Sequence, residues 1–510
     1  MPALLLTVAS AVLYGLAFPP TRLWPLAWVA LVPLLRAVED QSVGRAAALG
    51  WVWMMALSLT VIPWFGADAA AYFGQSPLVG IGLFLAVPTI TGALDYMAFA
   101  VACRWAGGLG PVVRPLVIAA TWVAAELGRT RLFGGNPWEL LAYSQLGAGP
   151  LGQIADVTGM YGPSFVVATV NGGIATALAE RRAAPGKHGR ILAPLAAAAV
   201  VAAVAFLGGE VRLAMERAQE SDPSMHRIAI VQAHVDIGTQ WREGLYGKNL
   251  ELYLRLTDEA IQSSAPRVVF WPENAMTFFL SRDAGYRTEI GRVLSKGDTD
   301  LVAGGVEQIG SERDGYYNSA FLVHPDGTIA GRYDKQHLIP FAERFPVFRT
   351  EALLRRFGRI REFTSGGHTD PLKTRVGAAG VVICNEGLLG EPARNHVRDG
   401  AEYLVILAND GWTEAPAYGL TAVEYARMRA IEQRRWVVRS STSGPSAIVD
   451  PRGRLTAISE AYRQTVLAGV VGARRNLTPY ARLGDWFAWA CVALAAASVA
   501  ASVRRRRRAC

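Results

Sequence analysis

The sequence predicts two structural parts, a multi-span α-helical membrane domain and an α/β domain. At 510 residues the chain is longer than one ordinary domain, and its hydrophobic share of 51% is high for a wholly soluble protein. The first 209 residues are apolar and rich in alanine, whereas the following segment holds most of the acidic and basic side chains. We therefore predict a seven-span domain (1–209), an α/β domain (210–482) and a last helix with a basic tail (483–510).

Eight apolar segments are long enough, or nearly long enough, to cross a bilayer as helices. They lie at about residues 3–19, 24–38, 46–66, 78–101, 112–128, 162–179, 191–208 and 485–503. The first segment lacks the basic start and the small-residue cleavage site of a signal peptide, and further apolar segments follow it directly. The sequence therefore predicts a multi-pass membrane protein.

Basic residues mark alternate connections between these segments. Such connections carry Arg36, Arg45, Arg104, Arg114, Arg181, Arg182, Lys187, Arg190 and the tail Arg504 to Arg508, whereas the others carry Arg22, Arg129 and Arg131. Because positively charged loops stay in the cytoplasm, both termini are predicted to be cytoplasmic and residues 210–482 to lie on the outer face. The net charge of +9 is then a topology signal at the anionic inner leaflet and says little about nucleic acid.

Short β-branched runs alternate with helical stretches in the outer segment, which is typical of layered α/β folds. The predicted strands are residues 227–232, 267–271, 301–305, 319–324, 380–384, 403–407 and 436–440. Their nearly continuous apolar character indicates burial on both faces. Two turn sequences, HPDGT at 324–328 and DPRGR at 450–454, predict hairpins.

Polar side chains follow several of these strands, at the position where loops hold active-site groups over a rigid sheet. They are Glu273 after RVVFWP, Cys384 at the end of GVVIC, Asn409 and Asp410 after YLVILA, and Lys335 and Glu343 in the turn YDKQHLIPFAE. We predict that their functional groups lie near the same edge of the sheet.

Cys384 has two interpretations. The chain contains four cysteines, and only Cys384 falls in the predicted outer domain, so no disulfide can form within that domain. A free cysteine is most often a small buried hydrophobe. A nucleophilic cysteine needs a base and a group that stabilises charge, and an unpaired thiol in an extracytoplasmic domain favours this second interpretation.

The candidate residues have the chemical types that acyl transfer requires. A thiolate attacks an acyl carbon, a carboxylate takes the thiol proton, and a cation with backbone N–H groups holds the oxyanion. Cys384, Glu273 and Lys335 fit these three roles, and the N–H of Asn385 is a further oxyanion donor. A lysine near a thiol is also expected to favour the thiolate.

Each of these residues also has a structural interpretation. Glu273 would be a solvated loop residue or a charge at a helix N-terminus, and Lys335 would be a surface lysine. Glu343 and Glu386 would pair with Arg344 and Arg394. Only convergence of the groups in space separates the two interpretations.

Three motifs resemble the Glu-Lys-Cys motifs of the nitrilase superfamily, namely WPENA around Glu273, YDKQHLIPFAE around Lys335 and VVICNEG around Cys384. A domain of this kind between a seventh and an eighth span looks like that of the apolipoprotein N-acyltransferases of the bacterial plasma membrane. The segments NPWELLAYSQ (136–145), ANDGW (408–412) and 424–455 extend the resemblance over nearly the whole chain. It implies a nitrilase-like αββα sandwich on the extracytoplasmic, periplasmic side.

The resemblance also implies a reaction and its participants. The family moves a fatty acyl chain from a membrane phospholipid to the N-terminal α-amino group of a diacylglyceryl-cysteine apolipoprotein, by ping-pong through a cysteine thioester. Cys384 would carry the acyl chain, Glu273 would be the general base, Lys335 would stabilise the oxyanion, and Glu343 and Glu386 would support them. We expect no cofactor and no metal, no nucleic-acid partner, and a monomer in the membrane.

The chain departs from the family pattern in loops beside the motifs. Asn385 stands where an aromatic residue often follows the cysteine, and MTFFL (276–280) lacks a proline that is often present. These departures concern acyl preference more than reaction type. Phe278, Phe341 and Trp412 lie close to the motifs and are predicted to bind lipid as part of an apolar lid, with burial in the core as the alternative.

Three charged residues lie in or at the ends of the predicted spans. They are Asp95, Glu126 and Arg129, and charge in a bilayer is costly and often functional. Glu126 and Arg129 are one helical turn apart, so mutual pairing is the alternative. Whether these residues have a function stays open from the sequence.

Two rival functions use the same features. A membrane-tethered nitrilase-type amidase would resolve the thioester with water in place of an amine. A transporter or lipid-binding scaffold would carry a degenerate outer domain, but the complete set of Glu, Lys and Cys positions argues against this reading.

Overall fold

The computed structural model of the protein describes residues 1–147, 149–184, 186–218, 225–235, 242–310, 315–340, 342–344 and 363–509. Contacts divide the chain into two units. The helical unit comprises Met1–Ala70, Ser76–Arg217 and Leu483–Cys510, and the α/β unit comprises Ala71–Gln75 and Ala218–Arg482.

The α-helices of the described chain are numbered in order. They are α1 (Pro2–Gly15), α2 (Val32–Val38), α3 (Val43–Val61), α4 (Phe65–Tyr72), α5 (Pro77–Pro88), α6 (Leu94–Ala106), α7 (Val113–Arg131), α8 (Ala155–Thr158), α9 (Tyr161–Ala183), α10 (His188–Ala218), α11 (Tyr246–Ser264), α12 (Ala284–Leu294), α13 (Gly390–Arg398), α14 (Pro416–Gln433), α15 (Pro479–Leu483) and α16 (Trp486–Ala509). Helices α11 to α14 lie in the α/β unit.

Each of the eight predicted spans overlaps helical structure. Within the described residues, four helices are long and apolar enough to cross a membrane, namely 43–61, 77–106, 161–183 and 188–217. The segments 2–15, 24–38 and 486–502 are apolar but shorter. Helix α7 carries four charged side chains, which lowers its mean hydropathy. Several apolar helices are therefore confirmed, whereas the count of eight spans stays a prediction.

Aromatic rings fill the interior of the helical unit. Trp53 on α3 lies edge-on to Trp122 on α7, with ring centroids 5.6 Å apart, and Tyr96 on α6 lies 5.1 Å from Trp122. Gly50 lets α3 approach α6 closely, because a side chain at this position would meet the backbone of Tyr96. Helices α3, α6 and α7 therefore share one packed aromatic core.

Glu126 and Arg129 do not pair with each other in the described structure. Oε1 of Glu126 accepts a hydrogen bond from Nε1 of Trp122 at 2.9 Å. Nη1 of Arg129 donates to the hydroxyl of Tyr96 at 2.9 Å, and Nη2 donates to Asn136. The alternative of mutual pairing is therefore contradicted, since each of the two side chains forms hydrogen bonds with neutral groups instead.

The described residues of the α/β unit form two six-stranded sheets. Its strands are β1 (Met225–Gln232), β2 (Val268–Met276), β3 (Asp300–Gln308), β4 (Tyr316–Val323), β5 (Ile329–Asp334), β6 (Leu372–Thr374), β7 (Gly377–Ile383), β8 (Tyr403–Ala408), β9 (Val437–Ser441), β10 (Ala447–Val449), β11 (Leu455–Ile458) and β12 (Thr465–Gly472). The strand orders are β12-β1-β2-β3-β4-β5 and β11-β10-β9-β8-β7-β6. All seven predicted strands and both predicted hairpins are confirmed.

The two sheets pack face to face between helices. Ile230 and Phe270 from the first sheet share an apolar core with Val381 and Val405 from the second. Helices α11 and α12 cover the outer face of the first sheet, and α13 and α14 cover that of the second. Each such buried side chain contributes about 1.5–3 kcal/mol, so the four-layer core fixes the strands firmly.

Parallel pairing at the centre of each sheet positions the functional edge. Strand β2 lies parallel between β1 and β3, and β8 lies parallel between β7 and β9. Neighbouring parallel strands end at the same edge of a sheet. The carboxyl ends of β7 and β8 therefore bring the residues after Ile383 and Ala408 together.

Candidate active site

Cys384 lies on a sharp backbone turn directly after β7. Its φ is +53°, a left-handed conformation that is costly for a residue with a side chain, and it begins a short 3₁₀ helix over Cys384–Leu388. The residue keeps some exposed surface, whereas the surroundings of its thiol group are buried. Strain of this kind persists only where the surroundings hold the backbone in place, so the thiol has a fixed position.

Glu386 holds the turn in this conformation. Its Oε2 accepts the backbone N–H of Ile383 at 2.7 Å, and its Oε1 accepts the N–H groups of Gln336 and His337 at 2.8 and 3.0 Å. The hydroxyl of Tyr333 donates to the same carboxylate at 2.9 Å. The fully buried carboxylate therefore joins the Cys384 turn to the loop that follows β5. The predicted pairing of Glu386 with Arg394 was wrong, since these donors satisfy it instead.

Asn385 adds a second link between the same two segments. Its Nδ2 donates to the backbone carbonyl of His337 at 3.0 Å. The residue that the sequence places next to the cysteine thus fixes the loop that carries Lys335.

Glu273 lies within β2, where the ladder to β3 is irregular between Trp271 and Met276. Its Oε1 accepts Nδ2 of Asn318 at 2.8 Å, and its Oε2 accepts the backbone N–H of Asn409 at 2.9 Å. Glu273 is 4% exposed, so it is not a solvated loop residue. The two hydrogen bonds fix the orientation of the carboxylate.

Lys335 is fully buried and faces two carboxylates. Its Nζ donates to Oε1 of Glu343 at 2.8 Å and lies 3.7 Å from Oε1 of Glu273. Nδ2 of Asn318 also donates to Glu343, at 3.2 Å. The backbone carbonyl of Asn318 accepts the backbone N–H of Lys335. Lys335 is therefore not a surface lysine, and the predicted pairing of Glu343 with Arg344 was wrong.

The cluster shifts the pKa values of its members. Burial raises the pKa of Glu273, Glu343 raises it further, and Lys335, Asn318 and the Cys384 thiol lower it in part. Burial lowers the pKa of Lys335, but the carboxylates of Glu343 and Glu273 outweigh this effect and raise it. The ammonium therefore stays charged beside a carboxylate that holds its proton more tightly than usual.

Burial and the neighbouring Glu273 carboxylate raise the pKa of the Cys384 thiol and so disfavour the thiolate. Burial raises its pKa well above the usual range, Glu273 raises it further, and Lys335 lowers it by less. As expected, Lys335 lowers the pKa of the Cys384 thiol. Burial nevertheless raises this pKa by more than Lys335 lowers it. Attack by sulfur thus requires transfer of the proton to a neighbouring base, and Glu273 is the adjacent carboxylate.

The aromatic residues predicted to bind lipid have different environments. Phe278 is buried in the core beneath α11 and α12, with its ring 4.3 Å from that of Tyr286, which agrees with the core alternative. Trp412 is half-buried, and its ring lies edge-on to Tyr418 at 5.0 Å. Phe341 lies outside the described residues.

A small cavity of about 20 Å³ lies beside the thiol. Cys384, Gly387, Leu388, Ile406, Ala408, Asp410, Tyr418, Ala422 and Arg439 line it. Within the described part of the chain, no three His, Cys, Asp or Glu side chains are arranged to hold a metal ion.

Three polar residues of the site were missed from the sequence. Asn318 bridges two carboxylates, Tyr333 donates to Glu386, and Arg439 pairs with Asp410. The signal that could have revealed Arg439 is a charged residue inside the apolar run WVVRS. The arrangement combines a thiol, a carboxylate and a fixed cation, which are the functional groups that acyl transfer requires.

Comparison with known proteins agrees with this chemistry. Residues 10–173 match the apolipoprotein N-acyltransferase N-terminal domain, and residues 227–474 match the carbon-nitrogen hydrolase family. The chain is 32% identical over 509 residues to the apolipoprotein N-acyltransferase of Geobacter metallireducens, covering 98% of this chain and 95% of the relative. It is 30% identical over 533 residues to that of Bradyrhizobium diazoefficiens, with 98% and 95% coverage. The protein belongs to the apolipoprotein N-acyltransferase family.

Proposed function

We propose that this protein transfers a fatty acyl chain from a membrane phospholipid to the N-terminal α-amino group of the diacylglyceryl-cysteine of apolipoproteins. The transfer is ping-pong, through a thioester on Cys384, and completes lipoprotein maturation. The observation that carries the proposal is the cluster of Glu273, Lys335 and the strained Cys384 in one buried site.

In the first half-reaction, the sulfur of Cys384 attacks the ester carbonyl of the phospholipid. Glu273 takes the thiol proton, and the ammonium of Lys335 with the N–H of Asn385 stabilises the oxyanion. Lys335 uses one of its three donors on Glu343, so donor capacity remains for the oxyanion. The C–O bond then breaks, the proton passes to the leaving alcohol oxygen, and a lysophospholipid departs.

In the second half-reaction, an amine attacks the thioester carbon. The C–N bond forms, the C–S bond breaks, and Glu273 carries a proton from the amine to the sulfur of Cys384. Glu343 keeps Lys335 in place through both steps, and Glu386 keeps the turn at Cys384 in place. We assign no role to a cofactor.

We further propose how the chain is placed in the bacterial plasma membrane. Eight spans put residues 210–482 on the periplasmic face and both termini in the cytoplasm, and the protein acts as a monomer. The substrates are held in the bilayer by about 0.8 kcal/mol for each buried CH₂, so a membrane-bound enzyme can reach their head groups without extracting them. The apolar helices support insertion into a membrane, and the positions of the basic residues support the orientation.

A hydrolase is the alternative function. It is favoured by the match of residues 227–474 to the carbon-nitrogen hydrolases. The same residues would form the acyl-enzyme, and water would resolve it. The two functions therefore differ only in the second half-reaction.

The intact mass of the purified protein tests the proposal. The wild type is incubated with phospholipid vesicles, and a diacylglyceryl-cysteine peptide is then added. We expect an acyl mass on the protein that hydroxylamine removes and that moves to the peptide amine. Cys384→Ala should gain no acyl mass, whereas Cys103→Ala, which removes a buried cysteine of the helical unit, should behave as the wild type.

Two outcomes contradict the proposal. Acylation of the peptide by Cys384→Ala would exclude the thioester route. An adduct on the wild type that is lost to water equally fast with and without peptide would favour the hydrolase.

A further inference from the structure

One carboxylate oxygen of Asp410 accepts hydrogen bonds from described residues, and the other accepts none of them. Its Oδ2 accepts Nη2 of Arg439 at 2.6 Å and the hydroxyl of Ser441 at 2.7 Å. Among the residues that the structure describes, none donates a hydrogen bond to Oδ1. Asp410 is 2% exposed, so bulk water does not satisfy this atom.

A buried acceptor without a donor is unfavourable. Leaving a buried polar atom unsatisfied costs about as much as a lost hydrogen bond, and charged groups cost more. Arg439 does not donate a hydrogen bond to Oδ1. Its guanidinium donates to Oδ2 of Asp410 and to the backbone carbonyl of Pro445, the latter at 2.6 Å. A donor from outside the chain is therefore expected at Oδ1.

The cavity beside Cys384 has room for such a donor. Asp410 and Cys384 both line it, and its volume of about 20 Å³ accommodates a group of the size of a water molecule or an amine. The rest of the lining is largely apolar, with Leu388, Ile406 and Ala422 among its members. Few other acceptors in the cavity therefore compete with Oδ1 of Asp410 for the hydrogen of such a donor.

The residue that precedes Asp410 contacts the proposed base. Asn409, the residue before Asp410, donates its backbone N–H to Oε2 of Glu273 at 2.9 Å. A ligand in the cavity would thus lie beside Cys384 and Asp410, and Asn409 connects this segment to Glu273. These groups match the needs of an amine that must approach a thioester and lose a proton.

We propose that Asp410 binds the acceptor, with Oδ1 accepting a hydrogen bond from the primary amine that attacks the Cys384 thioester. The inference rests on the proposed function. One N–H of the neutral amine donates to Asp410 and the lone pair faces the thioester carbon. A second hydrogen passes to Glu273 and then to the departing sulfur, so one C–N bond forms and one C–S bond breaks.

Asp410→Asn changes this oxygen selectively. Both partners of Oδ2 are donors, so the amide oxygen must face Arg439 and Ser441, and the NH₂ group replaces Oδ1. The variant thus presents a donor where the amine needs an acceptor, while its shape is unchanged.

The acylated enzyme is discharged by two nucleophiles to test the proposal. A diacylglyceryl-cysteine peptide presents the amine, and 2-mercaptoethanol presents only a weak S–H donor. For Asp410→Asn we expect thioester formation to persist, discharge by the peptide to slow about tenfold or more, and discharge by the thiol to change much less. An equal loss with both nucleophiles would overturn the proposal and indicate a structural role.

Asp450→Asn is the matched control. Asp450 is a buried aspartate paired with Arg454 in the turn between β10 and β11, and it does not line the cavity. It should lower thermal stability without changing the ratio of the two discharge rates. A change in that ratio equal to the change for Asp410→Asn would count against the proposal.

A measurement on the wild type keeps the test decisive if Asp410→Asn does not fold. The peptide is compared with an analogue in which hydrogen replaces the α-amino group, as competitors of acyl transfer. We expect the analogue to bind about tenfold more weakly, and equal binding would overturn the proposal. Absence of any thioester on the wild type would instead refute the proposed function.

Discussion

The two units of the molecule bury charged side chains in contrasting ways. In the helical unit, Glu126 accepts hydrogen bonds from Trp122 and from the backbone N–H of Leu141, and Arg129 donates to Tyr96. The hydrogen-bond partners described for these two side chains are neutral groups. In the α/β unit, by contrast, the ammonium of Lys335 lies among two carboxylates and a thiol.

The difference indicates what each arrangement is for. Neutral donors satisfy a buried charge and fix the helices that supply them, which is sufficient for a structural role. Charges crowded around a thiol shift one another's pKa values and leave each group sensitive to its neighbours. We therefore expect variants of the Lys335 cluster to affect the reaction, and variants of Glu126 to affect mainly stability.

Glu273→Gln should give the largest effect on the reaction. The variant keeps the size of the side chain but cannot take the thiol proton, so thioester formation should fall by about 10³-fold. The burst of lysophospholipid release measures this step. A loss of less than about tenfold would mean that another group is the base.

Glu273 also gives the reaction a pH dependence with a defined sign. The base acts in its deprotonated form, and its pKa is raised chiefly by burial. The rate should therefore fall as the pH drops through this raised pKa. A rate limb at the usual pKa of an exposed glutamate, about 4.3, would contradict the assignment.

Lys335→Met should reduce the rate of thioester formation by about 10²-fold, because the variant loses one oxyanion donor. Lys335 lowers the pKa of Glu273, so its removal should also shift the acid limb of the pH profile to higher pH. Glu343 raises the same pKa, so Glu343→Gln should shift the limb to lower pH. Shifts in the same direction for both variants would show that the cluster does not act through Glu273.

Much of the fold and part of the site could be predicted from the sequence. Apolar runs located the strands because burial on both faces leaves a nearly continuous signal, as in β7 and β8. Glu273, Lys335 and Cys384 could be proposed as site residues from the sequence because their motifs are local, and the structure brings the three together. The roles of Asn318 and of the unsatisfied oxygen of Asp410 could not be predicted from the sequence. They depend on contacts with Glu273 and Arg439, which lie 45 and 29 residues away along the chain. The separate partners of Glu126 and Arg129 likewise depend on tertiary packing.

Glu386→Gln should mainly lower stability, with a roughly tenfold loss of activity through the Cys384 turn. In this variant an NH₂ donor replaces one acceptor oxygen and faces the donors that surround the carboxylate. The free energy of unfolding should fall by roughly 3 kcal/mol, which corresponds to a fall in Tm of roughly 5–10 °C. Thermal unfolding of the purified protein measures this. Glu386→Asp is the control, because it keeps the charge and should lose less.

The contribution of Glu386 depends on pH with a definite sign. Burial raises the pKa of Glu386, but hydrogen bonds from His337 and Ile383 outweigh this effect and lower it below the unfolded value. Its stabilisation is therefore present above about pH 4.3 and is lost as the pH falls through the lower folded pKa. The difference in Tm between wild type and Glu386→Gln should narrow in acid, and a difference that widens would contradict this assignment.

Glu126→Gln should have the smallest effect and gives the sharpest test of the contrast. The described partners of the Glu126 carboxylate are Trp122, the N–H of Leu141 and the hydroxyl of Ser164, and all three can donate to an amide oxygen. Oε2 has no partner among the described residues that the new NH₂ would displace. The variant should lower Tm by only a few degrees and leave turnover per folded molecule within about twofold. A tenfold loss of turnover at unchanged Tm would instead assign the Glu126 carboxylate of the helical unit to the reaction and would remove the contrast between the two units.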